Sequence, residues 1–169
     1  PRGMQIIQET LRIRESIHHP QHILMVAGDC DSNMWLCHDK YWEQLKKPFQ
    51  LEWYSACASP SGVIVTGGKN GDNPQCKCYE YIAREGEWNS LPAFKIARNR
   101  HASICHDNSA FILGGRGDCD SPLDSIERLN LESLQWSFLP PLPCALSGPL
   151  TAIASNGIFV IGGFDGSSC

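Results

Sequence analysis

Basic residues are in short supply: 14 Lys and Arg stand against 18 Asp and Glu, a net charge of −4 with a pI near 5.8. A nucleic-acid surface requires a basic face, so that class of partner is excluded. Long apolar runs are also missing. The longest stretches fall several-fold short of the roughly 20 residues that span a bilayer, and no membrane association is expected. No N-terminal signal peptide is visible in a chain that opens at Pro1.

Catalytic signatures are scarce. There is no nucleophile elbow, phosphate loop or repeated carboxylate pair. The histidines at 18, 19, 22, 38, 101 and 106 fall mainly in expected outer turns, His101 alone at a strand start. His106 and Asp107 adjoin a turn with no nucleophile assigned beside them. The reading is therefore non-enzymatic, with no catalytic residue and no cofactor.

Cysteine is plentiful, but its nine copies are odd in number and follow no framework. Paired C-x-x-C knuckles are absent, so a zinc reading of Cys30, Cys37 and His38, or of Cys76 and Cys78, is set aside. Cys30, Cys57, Cys105 and Cys144 read as small buried or half-buried residues. Cys37, Cys76, Cys78, Cys119 and Cys169 read as lying in or near loops. A reduced, cytoplasmic protein fits this usage.

What is present is a repeat. Phe111-Ile112-Leu113-Gly114-Gly115 is an apolar run closed by two glycines and followed by Trp136. Val63 to Val65 lead through Thr66 to Gly67-Gly68 and Trp88, and Ile158 to Ile161 lead to Gly162-Gly163. A weaker copy, Ile23 to Val26 with Ala27-Gly28, precedes Trp42. Successive second glycines are 40, 47 and 48 residues apart, a period that marks a propeller, solenoid or array. The runs are short and rich in Val, Ile, Leu and Phe, so they predict strands.

Apolar segments at Ser55, Ala102 and Leu150, then turns near Ser59-Pro60, Asp107-Asn108 and Asn156, predict hairpins that end at the glycines. A third strand is centred on Trp35, Tyr81 and Leu129, and a fourth carries the tryptophan. Pro48, Pro92 and Pro140 follow those fourth strands and stop them. Four-stranded sheets apolar on both faces bury them by packing radially. Gly-Gly then belongs where backbone approaches backbone, and tryptophan between blades.

The pattern resembles the kelch repeat, whose signature is a hydrophobic run ending in Gly-Gly, a tyrosine-containing strand and a tryptophan. Its positions here are Gly28, Gly67, Gly68, Gly114, Gly115, Gly162, Gly163, Tyr81, Trp42, Trp88 and Trp136. Ala27 departs from the pattern, as does Leu129, where tyrosine is usual. The tryptophan-aspartate propeller repeat is disfavoured, because Glu43, Asn89 and Ser137 follow the tryptophans.

The resemblance implies an all-β, partial kelch β-propeller of about three and a half blades. The blades cover about 21–52, 53–97, 98–145 and an incomplete 146–169, and the chain reads as a fragment. Residues 1–20 read as a linker or the end of an upstream helical domain; 4–17 carry a short amphipathic pattern, and the His18-His19-Pro20-Gln21-His22 run reads as a solvated turn. Open blade edges imply marginal stability and self-association.

Kelch-like adaptor proteins place a BTB and a helical BACK domain before such a propeller, so the resemblance implies the substrate-recognition part of a cullin-type ubiquitin ligase. The cullin would be reached through an absent upstream BTB domain. An actin-associated cytoskeletal scaffold is the alternative, and a propeller enzyme like galactose oxidase ranks below both.

Lys69 and Arg116 share the first position after Gly-Gly, in loops that continue with Asn70 and Gly117-Asp118, and Arg100 precedes an inner strand. A propeller brings such positions to one mouth, and the Arg98-Asn99-Arg100 run looks like those that line the partner-binding mouth of kelch-like adaptors. Lys69, Asn70, Arg100 and Arg116 are therefore the candidate partner-binding residues, facing an acidic or phosphorylated peptide. The competing reading has Arg100 and Arg116 bracing loop carbonyls. Arg116-Gly117-Asp118 matches an integrin-binding tripeptide, but its residues are equally ordinary turn formers.

Overall fold

The computed structural model describes residues 23–26, 34–37, 41–46, 48–155 and 157–167. The segment 1–20, the histidine run, Gly28, Cys30 and Cys169 lie outside them. The chain divides into two compact units, one containing the first sheet and the other everything from residue 47 onward.

The first unit is an antiparallel sheet of β1 (Ile23–Val26), β2 (Met34–Cys37) and β3 (Trp42–Leu45). Its register departs from the repeat. Trp42 pairs with Cys37, and Trp35 with Gln44, whereas later tryptophans pair with the third-strand residue seven positions before them. Trp42 is also exposed, so this shorter repeat does not bury its tryptophan as the others do.

In the second unit the predicted hairpins form at the expected places. One meander comprises β4 (Ser55–Ala58), β5 (Gly62–Thr66), β8 (Cys78–Ile82) and β9 (Glu87–Leu91), with a small hairpin of β6 (Lys69–Asn70) and β7 (Asn73–Pro74) inserted after Gly67-Gly68. The next comprises β10 (Ala102–His106), β11 (Ser109–Leu113), β12 (Ile126–Asn130) and β13 (Gln135–Leu139). A last hairpin joins β14 (Leu150–Ala154) to β15 (Gly157–Ile161). Pro92 and Pro140 directly follow β9 and β13, where they end the outer strands.

Strand alternation decides which residues meet between blades. Cys57, Ile64 and Cys78 share one face of the first meander; Cys105, Ala110, Leu129 and Trp136 share the facing side of the next. Ile64, Cys78, Ala110 and Leu129 form the buried seam, with Cys57, Cys105 and Trp136 packed on it. Trp136 Nε1 donates to the Pro92 carbonyl at 2.7 Å, so this tryptophan ties its blade to the preceding one. Tyr81 is buried and packs against Trp88, which meets Phe49 edge-on on the opposite face.

Two cysteines depart from the sequence reading. Cys78 is buried in the seam because it is the first residue of β8 and points inward, not a loop residue. Cys144 is exposed, lying beyond the outer strand in the connection to β14.

The glycine pairs close blade on blade. A Cβ at Gly67 would lie 2.5 Å from the Arg98 carbonyl oxygen, and one at Gly114 2.6 Å from that of Leu146. Both glycines have φ near +60°, so conformation and crowding together require the missing side chain. The adjoining amides use that approach: Gly68 N donates to Arg98 O and Gly115 N to Leu146 O. Gly67-Gly68 and Gly114-Gly115 therefore each grip the segment leading into the following blade.

That lead-in segment is also locked by charge. Arg98 and Glu127 are fully buried and paired at 2.8 Å. Arg98 also donates to the Gly114 and Ser125 carbonyls, and Glu127 accepts the Lys95 and Ile96 amides. Beside it, His101 is buried with Nε2 2.8 Å from Thr66 Oγ1. Burial, reinforced by the Arg98 charge, pushes its pKa down to about 3, so the ring is neutral.

Candidate functional site: a cleft at the Gly-Gly end of the blades

The loops that leave Gly67-Gly68 and Gly114-Gly115 emerge beside the segment entering β10, because all three belong to the same end of adjacent meanders. Between them lies a cleft of about 430 Å³. Lys69 and Asp72 come from the first loop, Asn99 and Arg100 from the lead-in, and Gly117, Cys119 and Asp120 from the second loop.

The candidate cations meet different fates. Lys69 lines the cleft, anchored by backbone bonds in both directions with Glu52 and by an ion pair at 3.9 Å. Arg100 also lines it. Its φ of +49° and the Arg100 N to Trp53 O bond turn the side chain over the Trp53 ring, with the guanidinium carbon 4.2 Å from the centroid. No ion pair to Arg100 is found among the described residues. A flat guanidinium on an aromatic face keeps its outward donors available while losing little rotamer freedom.

Arg116 points elsewhere. It donates to Ser147 Oγ at 2.9 Å and to the Asp120 carbonyl and carboxylate at 2.8 and 2.6 Å. These contacts close the loop over the short 3-10 turn Asp118–Asp120 and tie it to the segment before β14. Asn70 is exposed at the tip of the β6–β7 hairpin and does not line the cleft. Arg98, two residues before Arg100, is fully buried on Glu127 and does not line the cleft.

Sequence reasoning missed the acidic and aromatic side of the site. Asp72 and Asp120 give the cleft mixed polarity, and Trp53 supplies the platform for Arg100. The i,i+4 spacing of Arg116 and Asp120 was a legible signal. Nothing in the sequence linked Trp53 to an arginine 47 positions later. Among the described residues no three His, Cys, Asp or Glu side chains converge on a metal-sized site. No helix among them is long and apolar enough to cross a membrane.

Comparison with known proteins agrees with the repeat geometry. The family model described as Kelch motif matches residues 97–143. Kelch-like protein 38 of Rattus norvegicus is 29% identical over 129 residues, covering 73% of this chain and 22% of that protein. Kelch-like protein 25 of Xenopus laevis is 28% identical over 158 residues, covering 84% of this chain and 27% of that protein. Kelch-like protein 40 of Xenopus tropicalis is 28% identical over 136 residues, covering 76% and 22% respectively. The chain thus spans roughly a quarter of the length of these relatives. The four-stranded all-β meanders, glycine grips and seam tryptophan, with the motif match over 97–143, are similar to the kelch-repeat propellers of the kelch-like proteins.

Proposed function

We propose that the chain is a protein-binding module, the substrate-recognition propeller of a kelch-like adaptor for a cullin-type ubiquitin ligase. The observation that carries the reading is the meeting of Lys69 and Arg100 in one cleft, framed by loops from two blades. Loops held by a rigid sheet scaffold are where proteins place recognition residues. An acidic or phosphorylated segment would set its anionic group on the outer donors of Arg100, with Lys69 as the second cation. Asp72 and Asp120 would select a basic or hydrogen-bonding residue beside that group. Arg116 would hold the wall of the cleft without touching the partner. The cullin would be engaged by a domain outside this chain. An odd number of cysteines that follow no repeating framework supports a cytoplasmic setting.

The test is affinity capture with the full-length protein, comparing wild type with Lys69→Ala/Arg100→Ala and reading partners by mass spectrometry. The expected result is a cullin in both samples and an acidic-motif protein in wild type alone. Actin in place of both would replace the adaptor reading by the cytoskeletal one. A partner set unchanged by the substitutions would remove the cleft as the recognition site.

A further inference from the structure

Cys57 in β4 and Cys105 in β10 occupy the same place in successive repeats, 48 residues apart, on inner strands that pack side by side. Their cross-strand partners, Ile64 and Ala110, belong to the buried seam, so both thiols point into it from opposite sides. The Sγ atoms are 3.3 Å apart, both residues are half-buried, and neither is in a disulfide. A neighbouring pair repeats the alignment: Ser55 Oγ lies 2.8 Å from Ser103 Oγ.

Access comes from the rim opposite the cleft. Cys105, though not Cys57, lines an open cavity of about 240 Å³ formed by the hairpin turns of the two blades, with Pro60, His106 and Asp107, and the Cys57 sulfur lies 3.3 Å beyond that of Cys105. A small oxidant fits there, but a folded protein does not.

We propose that Cys57 and Cys105 are a peroxide-sensitive thiol pair that closes into a disulfide across the seam between the two blades. The electrostatics divide the roles. The Cys105 S–H, with a smaller contribution from the Ser103 hydroxyl, holds the Cys57 thiol below its ordinary pKa, while donation to Cys57 and burial push Cys105 up. Cys57 is therefore the more acidic thiol of the pair and the nucleophile once ionised, and Cys105 keeps its proton. The third seam thiol, Cys78, is pushed up to about 12 by burial and stays protonated.

The Cys57 thiolate attacks one oxygen of a hydroperoxide. The O–O bond breaks, the departing oxygen takes a proton, and Cys57 becomes a sulfenic acid. Cys105 sulfur then attacks Cys57 sulfur as the Cys105 proton leaves with the hydroxyl group as water. Two thiols and one hydroperoxide yield one disulfide, one alcohol (water, from hydrogen peroxide) and one water. The sulfurs close from 3.3 Å to about 2 Å.

The experiment treats the full chain with hydrogen peroxide, alkylates free thiols, digests with trypsin and sequences the peptides by mass spectrometry. Cys57 lies in the peptide 47–69 and Cys105 in the peptide 101–116, each without another cysteine. The expected result is a linked pair of these two peptides, reversed by dithiothreitol and roughly tenfold more abundant than any other cysteine pair. The conservative variant Cys105→Ser should leave Cys57 as a sulfenic acid that dimedone captures, and Cys57→Ser should leave Cys105 alkylated. The proposal is overturned if both thiols stay alkylated while exposed Cys119 and Cys144 are already oxidised. Linkage of either residue mainly to another cysteine overturns it too.

Discussion

Arg98 of the lead-in segment and Glu127 of β12 are both sealed from solvent and meet at 2.8 Å, so the connection between two blades is riveted to the third strand of the blade it enters. The rivet has little slack, because four further bonds from Arg98 and two amides on Glu127 leave neither charge free to reorient.

Removing one partner strands the other as a buried charge, which costs about 3–5 kcal/mol. Glu127→Gln should lower the unfolding free energy by about 3 kcal/mol, and Glu127→Ala by more, because it also abandons the Lys95 and Ile96 amides. Guanidinium denaturation followed by tryptophan fluorescence measures both. A loss below about 1 kcal/mol would show that the pair does not clamp the blades.

His101 makes stability depend on pH. Its folded pKa is about 3 against an ordinary 6.5, so between those values the unfolded chain binds a proton that the folded chain refuses. Its contribution is complete above about pH 6.5 and declines as pH falls toward 3. Replacement by Gln, which has no such titration, should flatten the slope of stability against pH in that window. Thermal unfolding of both proteins from pH 7 to pH 4 would reveal the difference, and parallel curves would refute it.

Arg116 and Arg100 should separate stability from recognition. Arg116→Ala removes the bonds to Ser147 and Asp120, with an expected cost of about 1 kcal/mol and faster amide exchange over residues 116–122. Arg100→Ala removes a cation stacked on an exposed ring, worth about 0.5–1 kcal/mol, and should leave exchange in that loop unchanged. Hydrogen exchange by mass spectrometry distinguishes them, and equal acceleration in both variants would contradict the division.

Leu150, Phe159 and Ile161 are each more than half exposed, and the pairings Leu150 to Ile161 and Ala152 to Phe159 put them on one face of the last hairpin. Such a face drives association. Sedimentation velocity should show a species that grows with concentration, and Phe159→Lys/Ile161→Lys should shift it toward the monomer. Identical profiles for the two proteins would count against this face as the cause.

The repeat was legible because its elements depend on neighbours close in sequence. Short β-branched runs make strands, paired turn residues join them, and the recurrence of Gly67-Gly68 and Gly114-Gly115 marks the places where backbone must meet backbone. The same logic places Trp136 between blades, where it packs on the seam and bonds the Pro92 carbonyl. It failed in the first sheet, where Trp42 aligns with Cys37 rather than Trp35, because a shorter repeat shifts the register of its outer strands. It also misplaced Cys78, since burial at a strand start depends on the face toward which the strand begins.

Local sequence therefore determined the strands, their order within each meander and the glycine and tryptophan positions that let blades pack. Only the tertiary structure decided what the side chains do. Arg98, Arg100 and Arg116 carry one chemistry, yet one is buried on Glu127, one lies over Trp53 and one braces Ser147 and Asp120. Cys57 and Cys105 likewise acquire a shared function only when two blades pack. Those partners lie tens of residues away or on another blade, and a guanidinium or thiol has no preference among them until folding fixes which groups come within a few ångströms.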